Sequence, residues 1–503
     1  MTALAVLASA CSSSHAAAPA ATTAPPSATS TLIPSAAGTV VPAYYRQHLA
    51  WGDCGNGFQC ATLKVPLDYQ AVNSPLISVA VIRLPAGLPA QRIGSLVINP
   101  GGPGASGIDY ARYARYEFPS VIRDRFDIVS FDPRGVGQST PVHCLSSSQL
   151  DAYVAANPVP QTPQQHLTLI NESRQFAQEC LAHSGALLAH VGTIDQARDM
   201  DVLRAALGDA KLTYLGKSYG TYLGAKYAQL FPTRIRALVL DGALDPAQTT
   251  DALNRVQAVG FQVDLDDFIA NCVALGGCPL GNSQAAAMRT LDRLTASVDA
   301  HPLPAGGSRE LHGGEFFLGL AAALYDPASG WPELRRALAA AIGGDGSGLV
   351  ALSDLLTERQ PNGTYTNEIE ANTAINCIDR QSPRDVATYD SEASAFARLA
   401  PYFGAAIAYG SLPCAFWPVP PVELAHPVRA AGAPPILVIG TTRDPATPYV
   451  WAQALAHELA SGVLLTFTGD GHTAYGRGSA CIDGAVNAYL IDLQVPAAGT
   501  RCS

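Results

Sequence analysis

Charge is scarce in this sequence. Asp, Glu, Lys and Arg make up 14% of its 503 residues, and 41 acidic residues against 31 basic ones leave a formal net charge of −10. Lys and Arg form no cluster, so the electrostatic footprint that nucleic acid demands is missing, and binding to anionic lipid surfaces is excluded on the same ground. No two cysteines are spaced C-x-x-C, which argues against a zinc site or a thioredoxin-like redox motif. The apolar N-terminal run MTALAVLASA is too short to span a bilayer, and no internal repeat is visible.

What is present suits a folded protein. Apolar residues make up 48% of the chain, enough for a sizeable core, and the length exceeds what one core usually fills. One large domain with an insertion, or two domains, is the expectation.

The N-terminal run has about the length of a signal-peptide apolar region. It ends in small residues at Cys11, and LASAC resembles a bacterial lipobox whose cysteine is lipidated after cleavage, with Ala8 where leucine is usual. No basic segment precedes it, which predicts a true start upstream of Met1. An ordinary secretion signal over residues 1–11 is the alternative. Either way the chain is expected to be exported, extracellular or anchored to the cell envelope through a lipid on Cys11. Residues 12–43 are filled with Ser, Ala, Thr and Pro and read as a tether, and folded sequence begins near Tyr44.

Setting Cys11 aside leaves an even set of cysteines, and export favours disulfides. Neighbour pairing joins Cys54 to Cys60, Cys144 to Cys180, Cys272 to Cys278, Cys377 to Cys414 and Cys481 to Cys502, although sequence alone does not fix connectivity.

Short runs rich in Val, Ile and Leu alternate with longer helical patterns: SLVINP (95–100), FDIVSFDP (126–133), LTYLG (212–216), RALVLDG (236–242) and PILVIG (435–440). Such runs suit strands buried on both faces of a parallel sheet, whose ligands bind beyond the strands' carboxyl ends. ATLKVPLDY and ISVAVIRLP alternate more strictly and predict antiparallel edge strands. Between about 246 and 426 the strand pattern gives way to Ala- and Leu-rich helical stretches. This interval reads as a helical lid inserted into one sheet domain formed by residues 44–245 and 427–503.

In LTYLGKSYGTYLG, glycines at 216 and 220 flank Ser218 between a strand and a helix. A serine hydroxyl is a weak nucleophile at neutral pH, so it must be exposed, given a base and supplied with donors for the oxyanion that its attack creates. A sharp strand-to-helix turn exposes it, and the crowding there demands glycine two residues to either side. G-x-S-x-G is short enough to arise by chance; its place between a strand and a helix carries the reading. Tyr219 opens the helix and supplies one oxyanion donor from its backbone, and NPGGPGASG (99–107), after the strand SLVI, supplies another from Gly102. The hydrolase chain order is Ser, then an acid, then His. Asp444 follows PILVIG, and His472 lies in the loop after LLTFTG, which reads as the last strand. Asp241 is a rival acid, and Asp470 is expected to shape the turn before His472.

These residues resemble the α/β-hydrolases that include bacterial prolyl iminopeptidases and, more closely, secreted actinobacterial tripeptidyl aminopeptidases. The similarity runs from about residue 45 to the C terminus, through WGDCGNGFQCATLKVPLDY, NPGGPGASG, SFDPRGVGQS, GKSYGTYLGAKYA, LVLDGALDP, AINCID, GTTRDPATP and GDGHTAYGRGSAC in the family's order. It extends to mycobacterial cell-envelope lipoproteins described as proteases or carboxylesterases. The resemblance implies an α/β-hydrolase fold with a mostly parallel sheet, a helical lid between strands six and seven, and Ser218, Asp444 and His472 as a catalytic triad. Pro100 stands where shorter members of the family carry histidine; a backbone donor is indifferent to that change. Asp132 and Arg134, in the D-x-R-G-x-G-x-S segment, are expected to hold loop architecture by a buried ion pair or hydrogen bonds. Thr447 is either an orienter of the triad carboxylate or a helix N-cap.

The expected reaction is hydrolysis through an acyl-enzyme, with no metal or organic cofactor. The leading expectation is an aminopeptidase that releases short peptides from free N-termini. A carboxylesterase on the same triad is the alternative, and an inactive binding protein on the same scaffold is the third reading. Recognition of a free α-ammonium calls for a carboxylate near the pocket mouth; Asp379 in AINCIDR is the candidate, with Glu368 and Glu370 as alternatives.

Overall fold

The computed structural model describes residues 42–503. The signal-like segment, Cys11 and all but the last two residues of the tether lie outside the described residues. Among the described residues a ten-stranded sheet forms the frame, built from β1 (Gly52–Asp53), β2 (Gln59–Pro66), β3 (Leu76–Leu84), β4 (Gly94–Asn99), β5 (Phe126–Phe131), β6 (Leu212–Lys217), β7 (Ile235–Asp241) and three strands that come later in the chain. A small hairpin outside the sheet contributes β8 (Leu303–Pro304) and β9 (Glu310–Leu311), and the sheet is completed by β10 (Ile436–Arg443), β11 (Gly462–Asp470) and β12 (Arg501–Cys502). The order is β1-β2-β3-β5-β4-β6-β7-β10-β11-β12. From β5 to β12 every neighbouring pair is parallel, while β1, β2 and β3 join antiparallel at one edge, as their alternation predicts. β11 is not the last strand: the two-residue β12 adds beside it, and Cys502 of β12 is bonded to Cys481.

The continuous apolar runs follow from burial on two faces. Val97 and Val129 pack on one side with the helices Thr193–Ala206 and Tyr219–Leu230, whereas Leu96, Ile98 and Ile128 pack on the other with the helix Ala480–Asp492. Successive side chains of a strand point to opposite faces, so a sheet covered on both is apolar at most positions of its central strands, with the buried Ser130 hydroxyl satisfied by the Ile98 carbonyl.

The chain leaves the sheet at Asp241 and returns at Ile436, and between them it folds as helices with a core of its own around Phe261, Phe268, Phe316, Trp331 and Phe403. One boundary differs from expectation. Residues 147–184, expected within the sheet domain, form the helices Ser147–Ala155 and Pro163–Ser184 and join the helical segment instead. Asp151 accepts from Arg359 at 2.7 Å and from Tyr365 at 2.8 Å, and His166 meets Asp390 at 2.7 Å. The physical reason lies in the connection itself. A β5-to-β6 crossover needs a dozen or so residues, so the interval 132–211 has chain to spare for a second cap piece.

All five neighbouring cysteine pairs are bonded. This set of disulfides fits an exported chain in an oxidising environment.

Candidate functional site

Ser218 sits at the junction of β6 and the helix Tyr219–Leu230 with φ 55° and ψ −125°. A side-chain-bearing residue in that region costs about 1–3 kcal/mol and persists only where its surroundings hold it. Here the Ser218 amide donates to the Asp241 carbonyl at 2.9 Å, and its carbonyl accepts from the Thr221 hydroxyl at 2.6 Å. The flanking glycines are required by contact. A Cβ on Gly216 would lie 2.3 Å from the Gly220 carbonyl oxygen, and one on Gly220 would lie 2.8 Å from Asn99 Oδ1.

The loop 99–107 comes close to this turn. A Cβ on Gly101, at φ +106°, would lie 2.9 Å from the Ser218 Cβ and 3.1 Å from the Tyr219 nitrogen. Gly102 lines the same cavity as Ser218. Tyr219 is the first residue of its helix, so its amide has no acceptor within that helix. Asp132 holds the loop from behind, accepting from Ser106 Oγ at 2.7 Å, the Ile108 amide at 3.0 Å and the Gln138 amide at 2.8 Å. Arg134 does not pair with Asp132. It forks onto the buried Asp199 at 2.6 and 2.7 Å and donates to the carbonyls of Pro66, Leu67 and His190.

Asp444 directly follows β10 and His472 follows β11, and parallel pairing of those strands brings both to one end of the sheet. His472 Nδ1 lies 2.9 and 3.0 Å from the two Asp444 oxygens. The carboxylate is fixed in turn: Oδ1 accepts from the amides of Ala446 at 3.0 Å and Thr447 at 2.8 Å, and Oδ2 accepts from the Thr447 hydroxyl at 2.9 Å and the Thr473 amide at 3.2 Å. Thr447 therefore touches the carboxylate; the N-cap of the helix Tyr449–Glu458 is Pro448. Bonding at Nδ1 sets the tautomer and leaves the Nε2 lone pair free. Nε2 is buried without a hydrogen-bond partner among the described residues, and His472 and Ser218 line one cavity. The Tyr325 ring stands edge-on to the imidazole at 5.2 Å, and the Tyr325 carbonyl accepts from the His472 amide at 2.9 Å.

Asp241, the rival acid, is fully buried, and its carboxylate accepts from the amides of Ala474 and Tyr475 at 2.9–3.2 Å. It anchors the chain just beyond His472 rather than the imidazole. Asp470 pairs with Arg443 across the β10–β11 ends, as a turn-shaping residue would.

The cavity beside Ser218 and His472 measures about 550 Å³. The sheet loops supply its floor, and both cap pieces supply its walls, among them Tyr153, Glu172, Phe317, Tyr325 and Glu368. No Lys or Arg lines it among the described residues. Burial, with the nearby Glu358 charge, pushes the Glu368 carboxyl up to about 8, and burial raises Glu172 as well.

The expected ammonium-binding residue is corrected here. Asp379 is 3% exposed and lies behind the nucleophile helix, not on the cavity wall: its oxygens accept from the Thr193 amide at 2.7 Å and the Thr193 hydroxyl at 2.5 Å. The Thr193 hydroxyl also meets the Tyr219 hydroxyl. The helix Glu368–Asp379 explains the error, because Asp379 lies at the opposite end of the helix from Glu368, which reaches the cavity. Glu370 is also engaged elsewhere, accepting from the amides of Cys144 and Leu145 at 2.6 and 2.7 Å. Glu172 escaped the sequence reading because its helix was assigned to the sheet domain. The surplus length between β5 and β6 was the available signal.

The arrangement can expose a hydroxyl, hold an imidazole against a carboxylate and enclose an acyl group above them. A family profile described as TAP-like protein matches residues 400–502. The chain is 40% identical over 458 residues to serine protease Hip1 of Mycobacterium tuberculosis, covering 89% of this chain and 87% of that one. It is 37% identical over 453 residues to carboxylesterase B of the same organism, covering 88% and 86%. It is 33% identical over 477 residues to tripeptidyl aminopeptidase of Streptomyces lividans, covering 91% and 87%. Similarity of that extent, over a sheet and a Ser218 turn of this form, means that the chain belongs to the TAP-like family of α/β-hydrolases, which are serine hydrolases.

Proposed function

We propose that this protein is a serine exopeptidase that releases short peptides from free N-termini, with Ser218, His472 and Asp444 as its triad. His472 Nε2 takes the Ser218 proton as the hydroxyl attacks the scissile carbonyl. The amides of Gly102 and Tyr219 receive the oxyanion, Asp444 steadies the imidazolium, and Thr447 holds Asp444. The proton returns to the leaving amine, and water then releases the acyl group by the same route. The 246–426 helices together with residues 147–184 act as the lid, and the peptide is the substrate partner.

The observation that carries the peptide reading is the pair of carboxyls on the cavity wall, Glu172 and Glu368, with no Lys or Arg among the described lining residues, so that an incoming ammonium would be their counter-ion. Binding of that ammonium beside Glu368 would return a carboxyl poised near 8 to its ionised form. A carboxylesterase is the second reading, favoured by the same carboxyl in its uncharged form, which leaves a largely neutral pocket for an acyl chain. Turnover of a free-amine tripeptide anilide, its N-blocked counterpart and a short-chain acyl ester separates them. The free-amine peptide should be preferred over the blocked one by at least about tenfold; ester turnover without free-amine turnover reverses the assignment. We also propose that Cys11 carries a lipid that retains the protein at the cell envelope, and a mature N terminus lacking any acyl mass would rule that out.

A further inference from the structure

Two cavities meet at one side chain pair. Beside the cavity that holds Ser218 and His472 lies a second, of about 490 Å³, between the helix Gln284–Ala300, Tyr402 and the loop after residue 157. Phe317 and Pro158 line both. The far space carries Asp292 and Asp299 on its wall and, like the near one, no Lys or Arg among the described residues.

Charge therefore does not tell a cationic N terminus on which side of Phe317 to stop, because carboxylates wait on both. The length of peptide held between Ser218 and its amino end must be set by shape. Phe317 is built for that role. Its ring lies 5.4 Å from Phe403, which is fully buried; Phe403 lies 5.3 Å from Phe261, Phe261 5.8 Å from Tyr325, and Tyr325 5.2 Å from the His472 imidazole. Aromatic rings at such separations brace one another, and a ring with a fully buried ring behind it is not free to swing aside.

We propose that Phe317, with Pro158, is the wall that ends the acyl side of the site and sets how long an amino-terminal peptide is released. The acidic cleft behind the wall receives the N terminus of a longer peptide once the wall is removed. This rests on the exopeptidase reading above.

The test measures kcat/KM for free-amine peptide anilides of three and five residues. Phe317→Ala is expected to raise the five-to-three ratio about tenfold, since a few methylenes of pocket shape discriminate on that scale, and Phe317→Trp is expected to lower it. A ratio within twofold of wild type in both variants, with tripeptide turnover retained, overturns the wall. Absence of free-amine turnover in the wild type, with esters still hydrolysed, overturns instead the exopeptidase reading beneath it. Should Phe317→Ala fail to melt cooperatively, Phe317→Leu and Pro158→Ala read the same ratio, with the same outcomes deciding.

Discussion

The sheet ends and the cap are built by different rules. At the sheet ends nearly every polar group of the candidate site is spoken for: Asp444 accepts from three amides and a hydroxyl, Asp241 from two amides, Asp132 from two amides and a hydroxyl. Glycines at 216 and 220 sit where no side chain fits. The cap shows the opposite pattern. Its cavity walls are mostly rings and aliphatic groups, with a few neutral polar side chains such as Asn372 and Thr373 and two carboxyls, Glu172 and Glu368, and no Lys or Arg among the described lining residues. A framework saturated with hydrogen bonds tolerates no change of geometry, whereas an apolar wall tolerates changes of size and shape. Chemistry should therefore depend on the first region and substrate choice on the second.

That division can be broken from either side. Ser218→Ala should lower kcat on the order of 10⁶-fold for every substrate, peptide or ester alike, and abolish fluorophosphonate labelling. Labelling that persists in this variant would remove Ser218 from the chemistry. Asp444→Asn should cost about 10⁴-fold in kcat, because the amide can donate to Nδ1 and so stabilise the wrong tautomer. Thr447→Val takes away one bond to a charged carboxylate and should lower kcat by about 10- to 100-fold with KM little changed. An effect on KM alone would move Thr447 from the framework to the substrate.

On the cap side, Glu368→Gln should raise KM for free-amine peptides by about tenfold while ester kinetics stay level. Equal losses on both substrates would erase the distinction drawn between the regions. The smallest effect is one of stability. Burial holds the Glu368 carboxyl near 8, above its unfolded value, so the folded state binds the extra proton between the two. Stability from this group is full below the unfolded value and is lost as pH rises toward about 8. Glu368→Gln should therefore gain on the wild type by a few degrees in Tm between pH 5 and pH 9. A Tm difference that does not change with pH would show that the carboxyl titrates alike in both states.

The same contrast explains what could be read before any coordinates. The places of Ser218, Asp444 and His472 just past strand ends were legible because a strand's apolar run and the turn after it are local signals. The disulfides join neighbours in sequence, a pairing that sequence suggested and did not fix. Asp379 misled because its helix was identifiable but which end of it meets the cavity was not: Glu368 opens the helix at the cavity, and Asp379, at the far end, reaches Thr193. Phe317 and Tyr325 carried no signal of their own, since a cap helix near a cavity has the same amphipathic pattern as one elsewhere, and Glu172 had only the surplus chain length between β5 and β6.

Sequence by itself determined the sheet, the strand-to-helix turn at Ser218 and the places of Asp444 and His472 beyond later strands, because strand burial and backbone crowding act over a few neighbouring residues. Only the tertiary structure decided which carboxylates face the acyl group, that residues 147–184 belong to the cap, and where the cavity ends at Phe317. Those are properties of surfaces brought together from distant segments, and no local pattern encodes the angle at which two helices meet.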